Sequence, residues 1–201
     1  MKKIGLLMGC FNPIHNDHLG LAQHVLNEGI VQEIWIIPSK ENINIKDKKP
    51  ISGDERVKIL DEIIDDYPNF KIIPLEIKAK RQYFTYETLS LLNEPNIQLY
   101  LIIGSDNLIS FNKWKRYEDI LQNYHLIVSP RDDEDIEEII NGNPKLKKYG
   151  HKIIKANYQS KNISSTFIRN NIANEELIKK LLPSKIYEYI KRNNLYKEVK
   201  K

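Results

Sequence analysis

One cysteine in 201 residues leaves Cys10 without a partner for an internal disulfide, which excludes a disulfide-stapled scaffold and suits a reducing cytosol. No run of 18 apolar residues occurs, so no membrane-spanning helix is expected. Charge of one sign is also scarce: 31 Lys and Arg against 27 Asp and Glu give a formal +4. That mild bias helps gather polyanionic small molecules but lacks the clustered basic stripe of a dedicated nucleic-acid binder, so no nucleic-acid partner is expected. There is no internal repeat and no low-complexity linker. Hydrophobic residues at 41% and charged residues at 29% place the chain among globular proteins, long enough to bury one large core. One domain covering residues 1–201 is expected, with the oligomeric state, a homo-oligomer included, left open. Lys2-Lys3 and the apolar residues before Cys10 faintly resemble a lipoprotein signal. The stretch is too short for a signal core, and cleavage would remove the first strand, so a cytoplasmic location is expected.

Apolar runs suited to buried strands fall at Lys3–Met8, Glu33–Ile37, Lys71–Pro74, Gln98–Ile103, His125–Val128 and Lys152–Ile154. Helical periodicity separates them at Leu19–Asn27, Gly53–Asp66, Thr85–Leu92, Tyr117–Gln122 and Glu134–Ile140, and two further helical segments, Ser165–Ile172 and Pro183–Asn193, close the chain. Such alternation predicts an α/β fold, a doubly wound and mostly parallel sheet covered on both faces. Lys40–Ser52, with four lysines and neither period, reads as a long loop, a candidate lid. Asp132-Asp133-Glu134-Asp135 reads as a helix start, because acids favour the first helical turn. The end, Lys197–Lys201, is expected to fray.

Between the first predicted strand and the first predicted helix stands Gly9-Cys10-Phe11-Asn12-Pro13-Ile14-His15-Asn16-Asp17-His18. In open α/β sheets, ligands bind beyond the carboxyl ends of strands, where the next helix offers free N–H groups and a partial positive charge that suits phosphate. His15 and His18 are three apart, so a helical turn there places both rings on one side. Gly9 permits close backbone approach, while Phe11 and Pro13 shape the turn. Half of a zinc site is the competing reading, but no third ligand stands out, and no metal-ligating residue is assigned.

G-x-F-x-P-x-H-x-x-H resembles the signature of the nucleotidyltransferases. Ile163-Ser164-Ser165-Thr166-Phe167-Ile168-Arg169 resembles the I-S-S-T-x-I-R motif of the same superfamily. Between and beyond them, Ile103-Gly104-Ser105-Asp106-Asn107-Leu108, Lys113-Trp114-Lys115, Leu182-Pro183, Tyr189-Ile190 and Leu195-Tyr196 are similar, in order, to landmarks of bacterial nicotinate-nucleotide adenylyltransferases. The resemblance implies a Rossmann-like nucleotidyltransferase fold. It also implies adenylyl transfer from ATP to nicotinate mononucleotide, giving deamido-NAD and pyrophosphate, with Mg²⁺ on the polyphosphate.

On that reading His15 and His18 are catalytic, bonding phosphate oxygens without acting as general bases. Arg169 joins them as a bidentate clamp on the β- and γ-phosphates, and Ser164, Ser165 and Thr166 form a hydroxyl-rich helix start that is equally an N-cap. Gly9, Cys10 and Phe11 line the nucleotide. Gly104 turns the chain after the strand, and Asp106 accepts from a ribose hydroxyl or a metal-bound water. The resemblance implies that Trp114 stacks on the pyridine ring, as its flat face allows.

Two landmarks are altered. The family's P-P-H-K after the second strand is absent, so its lysine role falls to Lys46 or Lys40, while Arg56 in Asp54-Glu55-Arg56-Val57 matches the following helix. The S-Y-T segment that helps seat the nicotinate carboxylate stands as Tyr83-Phe84-Thr85, which leaves Thr85 and the backbone N–H groups to hold it. The expected partners are therefore ATP and a pyridine mononucleotide, nicotinate before nicotinamide. A phosphopantetheine acceptor, or a non-catalytic nucleotide sensor on the same fold, are the remaining readings.

Overall fold

The computed structural model describes residues 1–40, 51–132 and 134–196. Six strands, β1 (Lys2–Gly9), β2 (Glu33–Pro38), β3 (Phe70–Ile72), β4 (Ile97–Gly104), β5 (His125–Ser129) and β6 (Ile153–Lys155), form one sheet in the order β3-β2-β1-β4-β5-β6. Every pairing is parallel. The order reverses between β1 and β4, whose register sets Leu6 beside Leu101 and Leu7 beside Ile102. Their carboxyl ends therefore open at the topological switch point, where an open sheet leaves a crevice.

The strands are apolar throughout because both faces are covered. Successive side chains point to opposite faces, so Leu7, Tyr100 and Ile102 enter one core while Ile4, Leu6, Leu99 and Leu101 enter the other. The first core is closed by α1 (Asn16–Asn27), α2 (Gly53–Ile64), α9 (Ser165–Asn170), α10 (Glu175–Leu181) and α11 (Ser184–Arg192). The second is closed by α4 (Thr85–Leu92), α5 (Ser105–Ile109), α6 (Tyr117–Asn123), α7 (Ile136–Asn141) and α8 (Pro144–Lys148). A short α3 (Leu75–Lys78) follows β3. No helix among the described residues is long and apolar enough to cross a membrane.

The predicted elements are all present, with ends shifted by at most three residues. α1 begins at Asn16 rather than Leu19, because Asn16, Asp17 and His18 form a polar first turn that apolar periodicity cannot register. β3 covers Phe70–Ile72 rather than Lys71–Pro74, and Pro74 instead caps α3. The acidic run does start a helix: the Asp135 carboxylate accepts from Glu137 N–H at the head of α7. Among the described residues α3, α5, α8 and α10, of four to seven residues, were not expected; less than two turns carries little helical period. The expected lid lies mostly outside the described residues, as do Lys46 and the expected frayed end.

Candidate active site

The turn from β1 into α1 is held from outside by side chains distant in sequence. Arg56 of α2, 2% exposed, donates to the carbonyls of Cys10, Ser39 (2.8 Å) and Lys40 (2.9 Å). Ser165 Oγ donates to Pro13 O at 2.8 Å, and Arg169 Nη1 to Asn12 O at 2.6 Å. The Asn12 side chain accepts from Tyr196 Oη at 2.8 Å. These bonds satisfy backbone groups that an irregular turn would otherwise leave unpaired. The first sequence motif and the hydroxyl-rich motif are thus one structure. Phe11 carries a left-handed backbone, φ +47°, a strained conformation for an aromatic residue worth roughly 1–3 kcal/mol. Its buried ring meets His18 edge-on at 5.3 Å.

His15 is not helical. It is the N-cap of α1, with φ −142° and ψ 171° and no capping bond from its side chain, and in that extended conformation its ring stacks on His18 at 3.6 Å and 21°. The two imidazoles share a side as expected, through stacking rather than helical spacing. Both Nδ1 atoms are buried, with no hydrogen-bond partner among the described residues. A buried polar atom without a partner costs stability, and here two lie side by side. Burial lowers the His15 pKa to about 4, with the Asp17 carboxylate opposing and Arg131 reinforcing that shift. His18 is pushed well below its ordinary value by burial, then by His15 and Arg131. Without a bound anion both rings are neutral at pH 7, each with one N–H to donate; the doubly donating form needs an anion beside it.

A side chain at Gly104, at the end of β4, would displace the Asp106 carboxylate and the Arg131 guanidinium, which lie against the position its Cβ would take. Asp106 and Arg131 pair at 3.2 Å, and buried Ser105 accepts from Arg131 N–H at 2.8 Å. The end of β4 is thereby tied to the turn after β5. Arg131 drew no notice in the sequence, yet it is the cation that acts on both histidines.

Thr85 opens α4 and Trp114 ends a short 3-10 turn after α5, both on the layer of the second core. Trp114 is half-buried, packed at 4.9 Å against Phe111, so part of its surface joins the core and part stays accessible. Its neighbours meet the altered segment directly: Lys115 Nζ sits 4.4 Å over the Phe84 ring, and Arg116 lies 5.0 Å over Tyr86. Phe84 N–H donates to the Glu87 carboxylate at 2.9 Å, and Arg81 pairs with Glu87 at 2.7 Å. At the start of α9, Ser164 caps the helix by accepting from Phe167 N–H at 3.1 Å, and Thr166 Oγ1 accepts from Arg169 Nη2 at 3.0 Å. Lys40 donates to Ala79 O, away from the motif turn.

The cytidylyltransferase-like family profile matches residues 6–171. A probable nicotinate-nucleotide adenylyltransferase of Flavobacterium psychrophilum is 38% identical over 98% of this chain and 100% of its own length. The chain belongs to this family of adenylyltransferases. One from Caldicellulosiruptor bescii, also named a probable nicotinate-nucleotide adenylyltransferase, is 35% identical over 97% of this chain and 99% of its own. Among solved structures, the nicotinic acid mononucleotide adenylyltransferase of Plasmodium falciparum complexed with NaAD matches at a TM-score of 0.75 and 24% identity, covering 98% of each chain; at that identity the likeness concerns the fold.

Proposed function

We propose that this adenylyltransferase joins ATP to nicotinate mononucleotide, giving deamido-NAD and pyrophosphate. The observation that carries the reading is the stacked His15–His18 pair, with two enclosed Nδ1 atoms, at a turn to which the hydroxyl-rich start of α9 is bonded. A phosphate oxygen of the mononucleotide attacks the α-phosphorus of ATP in line. That P–O bond forms as the bond from the α-phosphorus to the β-bridging oxygen breaks, and pyrophosphate departs with the electron pair. The attacking phosphate is already ionised, so no general base is required. Holding three anionic groups in line is the task, and positioning of this kind is worth roughly 7–11 kcal/mol.

In this reading His18 donates to the α-phosphoryl oxygens and His15 shares their charge. Gly9, Cys10 and Phe11 line the nucleotide, and Ser164, Ser165, Thr166 and Arg169 serve the β- and γ-phosphates. A dry, low-dielectric pair of donors stabilises developing charge more than a solvated pair does. Arg169 already spends one nitrogen on Asn12 O and another on Thr166, so its clamp on phosphate requires a rearrangement of that guanidinium. Asp106 is the acid we assign to a ribose hydroxyl or a metal-bound water. Among the described residues no group of three or more His, Cys, Asp or Glu is placed to hold a metal; we assign Mg²⁺ to the substrate's own phosphates. When bound there, Mg²⁺ neutralises polyphosphate charge.

For the acceptor, Trp114 supplies the stacking face and Thr85 begins the helix whose N–H groups receive the nicotinate carboxylate. Arg81 and Arg116 are paired with Glu87 and Asp119, which leaves Lys115, over the Phe84 ring, as the cation beside the Tyr83–Tyr86 segment that favours a carboxylate over a neutral amide. The test is pyrophosphate release with ATP and Mg²⁺, comparing nicotinate and nicotinamide mononucleotides at matched concentrations. A strong nicotinate preference is expected. Comparable or reversed rates would assign the altered segment to a nicotinamide acceptor, and no turnover with either would overturn the reading.

A further inference from the structure

Asp17 stands between the two histidines, where the ordinary role of an acid is to face solvent and offset the helix dipole. Instead it is 6% exposed, and its carboxylate turns to a segment more than 140 residues on. Oδ1 accepts from Tyr158 Oη and from Lys161 N–H, each at 2.9 Å, and Oδ2 accepts from Ser160 Oγ at 2.7 Å. That segment has no helix or strand of its own: residues 156–164 run irregularly from β6 to α9. A second device on α1 serves the same tyrosine. A Cβ at Gly20 would lie 2.5 Å from Tyr158 Oη, so the glycine leaves the groove in which the hydroxyl reaches Asp17, and His24 flanks the ring at 5.6 Å. From the opposite side, Asn162, at φ +53°, donates to Asp132 at 2.7 Å. Two residues later Ser164 caps α9, and Ser165 bonds to the histidine turn.

We propose that Asp17 is a positioning residue that docks the 158–161 segment onto α1 and so sets the hydroxyl-rich start of α9 against the histidine pair. This rests on the reading of that helix start as the triphosphate end of the site. A carboxylate so close to bound polyphosphate repels it unless its charge is engaged. Three donors engage it here, and charge-assisted bonds are the stronger kind. Removing the acid strands a hydroxyl pair and a backbone N–H and releases the approach to α9, so ATP binding suffers while the acceptor end, on the other layer, does not.

The test varies each substrate in turn for Asp17→Ala, Asp17→Asn and Tyr158→Phe in the full chain, beside calorimetric binding of a non-hydrolysable α,β-methylene ATP. Asp17→Ala is expected to raise the ATP KM and the analogue Kd about tenfold, with the mononucleotide KM held within about twofold. Asp17→Asn keeps an acceptor oxygen and should recover most of that loss, and Tyr158→Phe should raise the ATP KM about threefold. Equal rises in both KM values, or an unchanged ATP KM, overturn the proposal. Should Asp17→Ala fail to fold, Tyr158→Phe and Gly20→Ala decide: both raise the ATP KM selectively, or the proposal falls. If the unaltered chain binds the analogue but turns over neither pyridine mononucleotide, the acceptor reading fails while the calorimetry still decides the role of Asp17.

Discussion

The two ends of the crevice are built by different means. At the histidine end, carbonyls of Cys10, Asn12 and Pro13 each receive a side chain from another element, both Nδ1 atoms are enclosed, and Arg56 is buried. At the Thr85–Trp114 end the contacts are cations over accessible rings: Phe84 is 44% exposed, with Lys115 above it. Buried bonds of long sequence separation hold one geometry, because each unmade partner costs desolvation. Exposed cation–π contacts are worth about 0.5–1 kcal/mol and tolerate exchange. Phosphoryl geometry needs the first kind, and acceptor choice can be tuned on the second.

The deepest cut at the rigid end is His18→Ala, expected to lower kcat at least about 100-fold with the fold intact, as loss of one preorganised donor does. Near-normal turnover would remove the role given to it. Arg56→Ala leaves three carbonyls without their donor and should cost about 2 kcal/mol or more of stability, read by urea unfolding, whereas Lys115→Ala at the open end should cost well under 1 kcal/mol.

Acid should also separate the ends. A histidine whose folded pKa lies below its unfolded value adds nothing to proton uptake in the native state, so stability is full above about pH 6.5 and is lost as pH falls toward 4, the His15 value. The slope approaches about 1.4 kcal/mol per pH unit for each such ring. His15→Asn should flatten the fall, measured as thermal midpoint against pH, and an unchanged slope would count against burial as the cause. A bound polyphosphate favours the protonated rings and opposes the same loss.

Smaller effects belong to the open end. Trp114→Ala should raise the mononucleotide KM about tenfold, within the range of a lost aromatic stack, and leave the ATP KM in place. The reverse pattern would put Trp114 on the nucleotide side. Phe84→Tyr should change either KM by less than about threefold, because an exposed ring gains a hydroxyl without losing its face.

Much of this was legible from the chain. Alternating apolar runs gave six parallel strands within a few residues of their bounds, since a strand buried on both faces must be apolar along its length. Gly9 to His18 marked the strand-to-helix turn, and Ser164, Ser165 and Thr166 marked the other helix start, because each is a local signal. The helical-spacing argument for the histidines was incomplete: His15 sits outside α1, and stacking on His18 brings the rings together. Arg131, Asp17 and Tyr158 carried no local signal at all. One acid in a first helical turn looks the same in sequence whether it faces water or a tyrosine 141 residues away.

The sequence by itself determined the sheet class, the two motifs and the family, because periodicity and motif spacing are properties of neighbouring residues and survive without coordinates. Tertiary structure alone decided that the motifs are bonded to each other, that both histidine Nδ1 atoms are enclosed and both pKa values pushed down by burial, and that Asp17 points across to the 158–161 segment. Those facts depend on which distant side chains share a low-dielectric space, where a hydrogen bond or a charge counts for several times its worth in water.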